Sequence, residues 1–337
     1  MYYDIFNVDE EEAFLEIERG RCQRNLEESM DRLVKNDPTL KELVLDFGLT
    51  SHDLLRLMNV LRTNHQITKL TISYWPMGDE GACGFAKLLL ENSSLKELTL
   101  RTCGITGIGA KAILTALETN TTLIKLDLSR NNFLLGHEYI STLETILPRM
   151  MGLEELSLYM SKLDVESVRS LMRGVQKNRR LRTLDISDNL GSVETVLEII
   201  MEYLPQIKCL QRLTVTNGGG TAKYFDGNSV ILCRLAESLD RNVSLHYLGP
   251  FSLRPMPRDT TRVAHQENVI DHKDFRRVHY ILDRNRLCSR GQVLQMDKPS
   301  LWPTILAATN CMNSASSLLY FLLREKNQCI IHRSFDI

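Results

Sequence analysis

The stretch Leu-Lys-Glu-Leu-Thr-Leu-Arg-Thr-Cys at residues 95–103 decides the fold of this chain. Its apolar residues follow the spacing L-x-x-L-x-L. The last three positions, L-x-L, alternate between apolar and other residues, which is typical of a short strand with one buried face. With apolar substitutions, this spacing begins again at Leu40, Ile67, Leu123, Leu153, Leu181, Leu210 and Leu245. Successive copies start 27 to 35 residues apart, so the chain repeats one structural unit about eight times. The eighth copy is interrupted at Gly249-Pro250.

The sequence between the strands predicts one helix in each repeat. Residues 109–117, 165–175 and 193–204 carry apolar side chains with a period of 3.6 residues, so each helix can pack one face against the strands. In five repeats an asparagine lies three residues before the first apolar residue of the strand, at Asn64, Asn92, Asn120, Asn178 and Asn242. Because asparagine tolerates the left-handed conformation that ends helices, we expect these residues to stop them.

The repeat resembles the ribonuclease-inhibitor-like class of leucine-rich repeats, which has Asn or Cys at its ninth position before the helix. This position holds Cys103, Asn131 and Asn189, and it departs from the pattern at Gly48, Trp75, Ser161 and Gly218. The resemblance covers residues 37–250. It implies an α/β leucine-rich-repeat horseshoe of about eight strand–helix repeats with a parallel sheet on the concave face. It also implies that the ninth residue bonds backbone groups in the turn, so the turns at the departures should be less regular.

The two ends of the chain differ from the repeats. Residues 1–36 predict an N-terminal helical cap, because an end repeat must have its apolar face covered, with a partner-docking helix as the alternative. Its apolar side comprises Phe14, Ile17, Leu26, Met30 and Leu33. Residues 251–273 predict an irregular linker or cap.

Residues 274–337 predict a C-terminal helical unit, in which Phe275, Val278, Ile281 and Leu282 begin a short helix. This tail is similar to one found in microalgal leucine-rich-repeat proteins, through Trp302-Pro303 before a helix and the run from Tyr320 to Glu325. Whether the unit caps the repeats or binds something itself stays open.

Composition restricts the partner and the compartment. The net charge of −1 argues against a general nucleic-acid binder, and no apolar run reaches the roughly 18 residues that span a bilayer. Eight cysteines without a CxxC pair are typical of reduced core thiols, and the first residues lack the pattern of a secretory signal. We therefore expect a monomer that binds neither nucleic acid nor membrane, in the cytoplasm or alternatively the nucleus.

Side chains that alternate with the inward leucines should form the concave surface. The third position reads Glu42, Lys69, Glu97, Lys125 and Glu155, so neighbouring strands can neutralise one another's charges along this row. The seventh and eighth positions mix aromatic side chains with charges, which favours a protein-binding strip. Our candidate contacts there are Tyr74, Arg101, Arg130, Tyr159 and Asp188, and a plain solvated surface is the alternative.

No arrangement of residues predicts catalysis. The eight histidines include no HxH or HExxH pair, and no nucleophile elbow or kinase motif occurs, so we expect no enzyme activity, no catalytic residues, no cofactor and no metal. The sequence favours a scaffold or adaptor that binds a protein on the concave face. One alternative is a regulator of a small GTPase, although the long acidic tail of leucine-rich-repeat activating proteins is missing. Another is a structural component of a cytoskeletal or flagellar assembly.

Overall fold

The computed structural model describes residues 8–46, 50–133, 138–216 and 229–249, together with residues 277, 278, 281, 282 and 285. The chain divides into two compact units, Met1–Gly191 and Ser192–Ile337. The boundaries predicted for the N-terminal cap, the repeats, the linker and the C-terminal unit differ from this division and stay predictions.

Strands and helices alternate through the first unit. Its strands are β1 (Glu42–Asp46), β2 (Lys69–Ser73), β3 (Glu97–Arg101), β4 (Lys125–Asp127), β5 (Glu155–Ser157) and β6 (Thr183–Asp185). Its helices are α1 (Val8–Val34), α2 (Ser51–Thr63), α3 (Gly78–Glu91), α4 (Gly107–Ala116), α5 (Glu138–Ile146) and α6 (Val165–Lys177), with a 3-10 turn at Leu147–Arg149. Each strand from β2 onward is thus separated from the previous one by a helix.

The six strands form a parallel sheet in which equivalent repeat positions lie side by side. Leu70 is opposite Leu43 and Leu98, and Leu126 is opposite Leu98 and Leu156. The fourth and sixth positions of every strand point into the core, where none of their side chains exceeds 3% exposure. This register follows from the leucine spacing, because a slip of one residue would turn the apolar side chains to solvent.

Local hydrogen bonds fix where the helices begin. Thr50 and Asp53 form a capping box at the start of α2, in which each side chain accepts the other residue's backbone N–H. At α4, the carboxylate of Asp79 from the preceding helix accepts the backbone N–H groups of Thr106 and Gly109 at 2.8 and 3.0 Å. Because the first turn of a helix has free N–H donors, each carboxylate satisfies groups that the helix itself cannot.

Helix α1 lies against β1 and α2. Leu26 and Leu33 are fully buried, as the predicted apolar side requires, whereas the side chains of Phe14 and Ile17 lie outside the described residues. On the outside, Arg56 of α2 pairs with both carboxylate oxygens of Glu27, at 2.6 and 3.1 Å. The helix therefore covers the first repeat as an additional helix of the same layer.

Three of the five asparagines before the strands, Asn64, Asn92 and Asn178, end helices as predicted, but the expected reason was wrong. The helices before Asn120 and Asn242 already end at Ala116 and Asp240. Asn64, Asn92 and Asn178 have extended backbones with φ between −81° and −70°, not left-handed ones. Instead, the buried Asn64 side chain donates to Leu33 O of the preceding element at 2.8 Å and accepts the N–H groups of Gln66 and Ile67. Asn92, Asn120, Asn178 and Asn242 make the same kind of bonds in their own repeats, whereas the repeats that begin at Leu153 and Leu210 have Met150 and Ile207 at this position. We call these five residues the asparagine ladder.

A second set of buried polar residues holds the turns after the strands. Asn131 donates to Leu100 O and accepts the N–H groups of Cys103 and Ile105, and Asn189 repeats this arrangement with Leu158 O. These contacts are the ones that the resemblance implied for the ninth position. Ser161, a departure from Asn or Cys, bonds Leu128 O at 3.2 Å much as the Cys103 thiol approaches Ile72 O. The departures at Gly48 and Gly218 lie outside the described residues.

The second unit contains the same kind of repeat. It consists of α7 (Val193–Tyr203), a 3-10 turn at Leu204–Gln206, β7 (Arg212–Thr214), α8 (Ser229–Asp240) and β8 (Tyr247–Gly249), and β7 pairs in parallel with β8. Val278, Ile281 and Leu282 are helical and buried, as predicted. Asn285 donates to Asn242 O and Leu245 O at 3.0 Å, so it continues the ladder. The other parts of the predicted linker and tail lie outside the described residues.

Strand–helix repeats with in-register parallel strands confirm the predicted α/β class and the leucine-rich-repeat architecture.

Candidate functional site

The alternating charges of the third position neutralise one another, as predicted. Lys69 Nζ lies 2.6 Å from Glu42 Oε1, and Lys125 Nζ lies 3.4 Å from Glu155 and 3.9 Å from Glu97. The hydrogen bond that Lys69 donates to the Glu42 carboxylate raises the pKa of Lys69. This row is internally paired, so the candidate surface for a partner lies elsewhere on the sheet face.

The seventh and eighth positions lie together where the strands end. We call Tyr74, Arg101, Thr102, Arg130, Tyr159, Met160 and Asp188 the strand-end strip. Backbone bonds join its members across repeats, with Tyr74 N donating to Arg101 O at 3.0 Å and Arg130 N donating to Tyr159 O at 2.7 Å. The strip is therefore a continuous surface of the first unit that crosses the ends of its strands.

The eighth position has an unusual backbone in five consecutive repeats. Tyr74, Thr102, Arg130, Met160 and Asp188 all have φ between +54° and +58°, except Met160 at +50°. Non-glycine residues rarely adopt this left-handed region, and strained backbones occur often at binding sites. Here the left-handed conformation recurs in five consecutive repeats, so it is first of all a feature of the repeat's turn. Its effect is to turn the chain sharply and present the eighth side chain at the rim of the sheet.

Arg101, Arg130 and Tyr159 make side-chain contacts between neighbouring repeats. The Arg130 guanidinium lies 5.7 Å from the centre of the Tyr159 ring, within the range of a cation–π contact. Arg101 Nη2 lies 2.8 Å from Asp127 Oδ2, and Asp127 also accepts the Ser129 N–H. These contacts hold two flexible arginine side chains in place, which reduces the entropy that a partner would have to remove.

Tyr74 and Asp188 lie toward opposite ends of the strip. The Tyr74 side chain is 46% exposed, whereas Asp188 is half-buried. The strip carries its arginines in the middle and the Asp188 carboxylate at one end, so its charge differs along the row. The role of all five residues in binding stays a prediction.

The candidate contacts chosen from the sequence left out Met160 and Thr102, which belong to the same two positions of the repeat. Met160 is 41% exposed between Tyr159 and the buried Ser161, so it adds apolar surface beside the stacked arginine. Thr102 Oγ1 is buried and has no hydrogen-bond partner among the described residues. The repeat register could have identified both residues, because they occupy the eighth position, as do Tyr74, Arg130 and Asp188.

The described part of the chain offers no support for a metal site or a reactive thiol at Cys103. No group of three His, Cys, Asp or Glu side chains within it could hold a metal ion. Burial raises the pKa of the Cys103 thiol to about 12, which is opposite to the shift that activates a nucleophile. None of the described helices combines the length and apolar character needed to cross a bilayer. The expectation of a non-catalytic protein without cofactor stays a prediction.

Residues 23–148 match the family described as TMOD/LMOD Leucine-rich domain. Human Centrosomal protein of 78 kDa is 56% identical over 55 residues, which are 16% of this chain and 8% of that protein. Human Leiomodin-3 is 32% identical over 117 residues, 34% of this chain and 21% of that protein. Pig Ribonuclease inhibitor is 27% identical over 221 residues, 64% of this chain and 48% of that protein. The matches thus span less than half the length of each of these relatives, and they support a leucine-rich-repeat protein of ribonuclease-inhibitor-like type.

Proposed function

We propose that this chain is a protein-binding scaffold or adaptor that holds its partner on the strand-end strip and performs no catalysis. The observation that carries the proposal is the Arg130–Tyr159 stack, with exposed Met160 beside it and Tyr74 on the same row. Arginine and tyrosine are the residue types that most often anchor protein interfaces. The exposed Arg130 guanidinium is held over the half-buried Tyr159 ring and is already ordered for a partner, whereas the paired charges of the third position offer little unsatisfied charge.

The partner chemistry follows from the composition of the strip. Its centre offers aromatic, thioether and guanidinium groups, and its Asp188 end offers a carboxylate. A complementary protein surface would place an apolar or acidic group near Arg130 and a basic group near Asp188.

Affinity purification of the full chain tests this proposal. The triple variant Arg101→Ala, Arg130→Ala and Tyr159→Ala should lose the partners that the unaltered chain retains, because it removes the stack and the Arg101–Asp127 pair. A matched control changes Leu55, Lys87 and Leu90 to Ala on the exposed sides of α2 and α3. The control should keep those partners. If the triple variant folds, as judged by circular dichroism, and keeps them too, the strip is not the binding surface.

A cytoskeletal role is the second candidate, favoured by the 56% identity with a centrosomal protein. In this case the full chain carrying a fluorescent label should concentrate at centrosomes, and the purified partners should be centrosomal proteins.

The same purification repeated with GDP and with a non-hydrolysable GTP analogue tests the third candidate, a regulator of a small GTPase. Such a regulator requires a partner whose binding depends on the nucleotide. A single dominant partner, independent of nucleotide and outside the cytoskeleton, would support an adaptor or inhibitor in the cytoplasm.

A further inference from the structure

A cluster of cations lies on another edge of the first unit, where helices end and strands begin. We call Arg149, Arg173, Lys177, Arg179, Arg180 and Arg182 the basic edge. All six are exposed. The loops before β5 and β6 are joined here by the bond from Arg182 N to Glu154 O at 2.8 Å, so cations that are distant in sequence become neighbours.

Three carboxylates neutralise the basic edge only in part. Arg149 pairs with Glu118 at 3.3 Å, Arg182 pairs with Glu154 at 3.5 Å, and Lys177 and Arg173 share Glu144 at 3.0 and 3.6 Å. Both cations contribute to lowering the pKa of Glu144, with the Lys177 hydrogen bond as the largest cause. Six cations against three carboxylates leave a surplus of three positive charges, in a chain whose net charge is −1.

The arginines of the loop before β6 are arranged to accept further carboxylates. Arg180 Nε donates to Met151 O at 2.8 Å, which fixes the guanidinium by one side. Its two terminal nitrogens form no bond within the described residues, and a guanidinium binds a carboxylate end-on through such a pair. Arg179 is exposed next to it and has no ion pair within the same residues. Met151, 55% exposed, adds an apolar contact between the repeats.

We propose that the basic edge is a second docking surface, which binds an acidic, extended segment of a partner protein through Arg179 and Arg180. Residues of an extended segment are spaced by about 3.3 Å, so its carboxylates can reach the guanidiniums of both Arg179 and Arg180. This surface is separate from the strand-end strip and does not depend on the function proposed for that strip.

The charge distribution favours an acidic peptide over a nucleic acid. Affinity for nucleic acid grows with the number of phosphates neutralised, and a surplus of three charges neutralises few. Glu118, Glu144 and Glu154 lie within the basic edge and would repel a continuous phosphate backbone. A peptide can instead place single carboxylates at the arginines and avoid the glutamates.

Fluorescence anisotropy of the full chain tests the proposal directly. The probe is an end-blocked, labelled glutamate peptide of about ten residues, titrated at roughly 0.05 M and 0.15 M salt, with a glutamine peptide of the same length as the neutral comparison. We expect the glutamate peptide to bind and the glutamine peptide not to bind. Arg179→Glu with Arg180→Glu should weaken binding by about tenfold or more, because two attractive pairs become repulsive.

Two further variants separate a docking site from general electrostatics. Lys35→Glu with Lys87→Glu makes the same change of net charge at exposed lysines away from the basic edge, and it should leave the affinity nearly unchanged. Arg179→Lys with Arg180→Lys keeps the charge but removes the guanidinium fork, so its affinity should be intermediate. Equal losses in both glutamate variants, no peptide binding, or tighter binding of a thymidine oligonucleotide than of the peptide would overturn the proposal.

Discussion

At the scale of single residues, buried polar side chains determine how one repeat joins the next. The Asn120 side chain bonds Leu89 O in the previous repeat and the N–H groups of Thr122 and Leu123 in its own turn. One residue thus satisfies three backbone groups that neither helix nor strand can satisfy. Because a buried group left without a partner costs about 1–3 kcal/mol, this is a sensitive position for stability.

Asn120→Ala should therefore lower the free energy of unfolding by about 2–3 kcal/mol. Urea denaturation followed by circular dichroism measures this. Asn59 is exposed on α2, and Asn59→Ala should change stability by no more than about 0.5 kcal/mol. Equal effects of the two substitutions would show that the ladder bonds contribute little.

The reactivity of the Cys103 thiol provides a second test on a single residue. Burial raises the pKa of its thiol to about 12, so at about pH 8 only about one molecule in ten thousand carries the reactive thiolate. Iodoacetamide should modify the half-buried Cys83 well before Cys103 in the folded chain. Mass spectrometry of the alkylated peptides provides the measurement. The difference should vanish in urea, and its absence in the folded chain would contradict the burial of Cys103.

At the scale of elements, the turns after β2, β3, β4, β5 and β6 each hold a left-handed residue that is not a glycine. Thr102 has φ of +55°, an unfavourable conformation for a β-branched residue. The turn persists because the following residues are held by Asn131 and because Thr102 N donates to Ser129 O. The side chains of the strand-end strip are therefore placed by contacts with the next repeat.

Thr102→Gly should raise the free energy of unfolding by about 1 kcal/mol, because glycine adopts positive φ without the steric cost. Thr99→Gly in the middle of β3 should instead lower it by about 1 kcal/mol, since glycine weakens a strand. Thermal and urea denaturation of both variants test this contrast. Destabilisation by Thr102→Gly similar to that by Thr99→Gly would show that the turn is not strained.

At the scale of the whole molecule, stability is distributed along the repeats. Each strand of the first unit contacts only its neighbours, and α1 covers the first strand. In such arrays stability is approximately a sum of repeat terms and nearest-neighbour interfaces. A destabilising substitution should therefore lower local stability in its own repeat and in the one or two repeats beside it, and have less effect farther along the sheet.

Leu126→Ala in β4 tests this distribution. Its side chain is 2% exposed, and its truncation should cost about 3 kcal/mol. Amide hydrogen exchange should show the largest loss of protection in β3, β4 and β5 and a smaller loss in β1. Leu90→Ala, at a side chain that is 59% exposed, serves as the control. A uniform loss from β1 to β6 would mean that the first unit unfolds as a single cooperative block.

The sequence by itself determined the repeat, the register and the pairing of the charged row. The spacing of the leucines specifies these features. Side chains on one face of a strand recur every two residues and those on one face of a helix every 3.6 residues, and the sequence shows both periods. The positions of the candidate contacts on one strip followed from the same register.

Only the tertiary structure decided what the polar residues do. The ladder asparagines bond carbonyls 31 residues earlier in four of the five cases, a contact that no local pattern reveals. The left-handed turns are likewise imposed by the neighbouring repeat against the local preference of Thr102 and Met160. The basic edge exists because the loops before β5 and β6 pack together. These features depend on contacts between repeats, whereas the fold depends on the apolar pattern within each one.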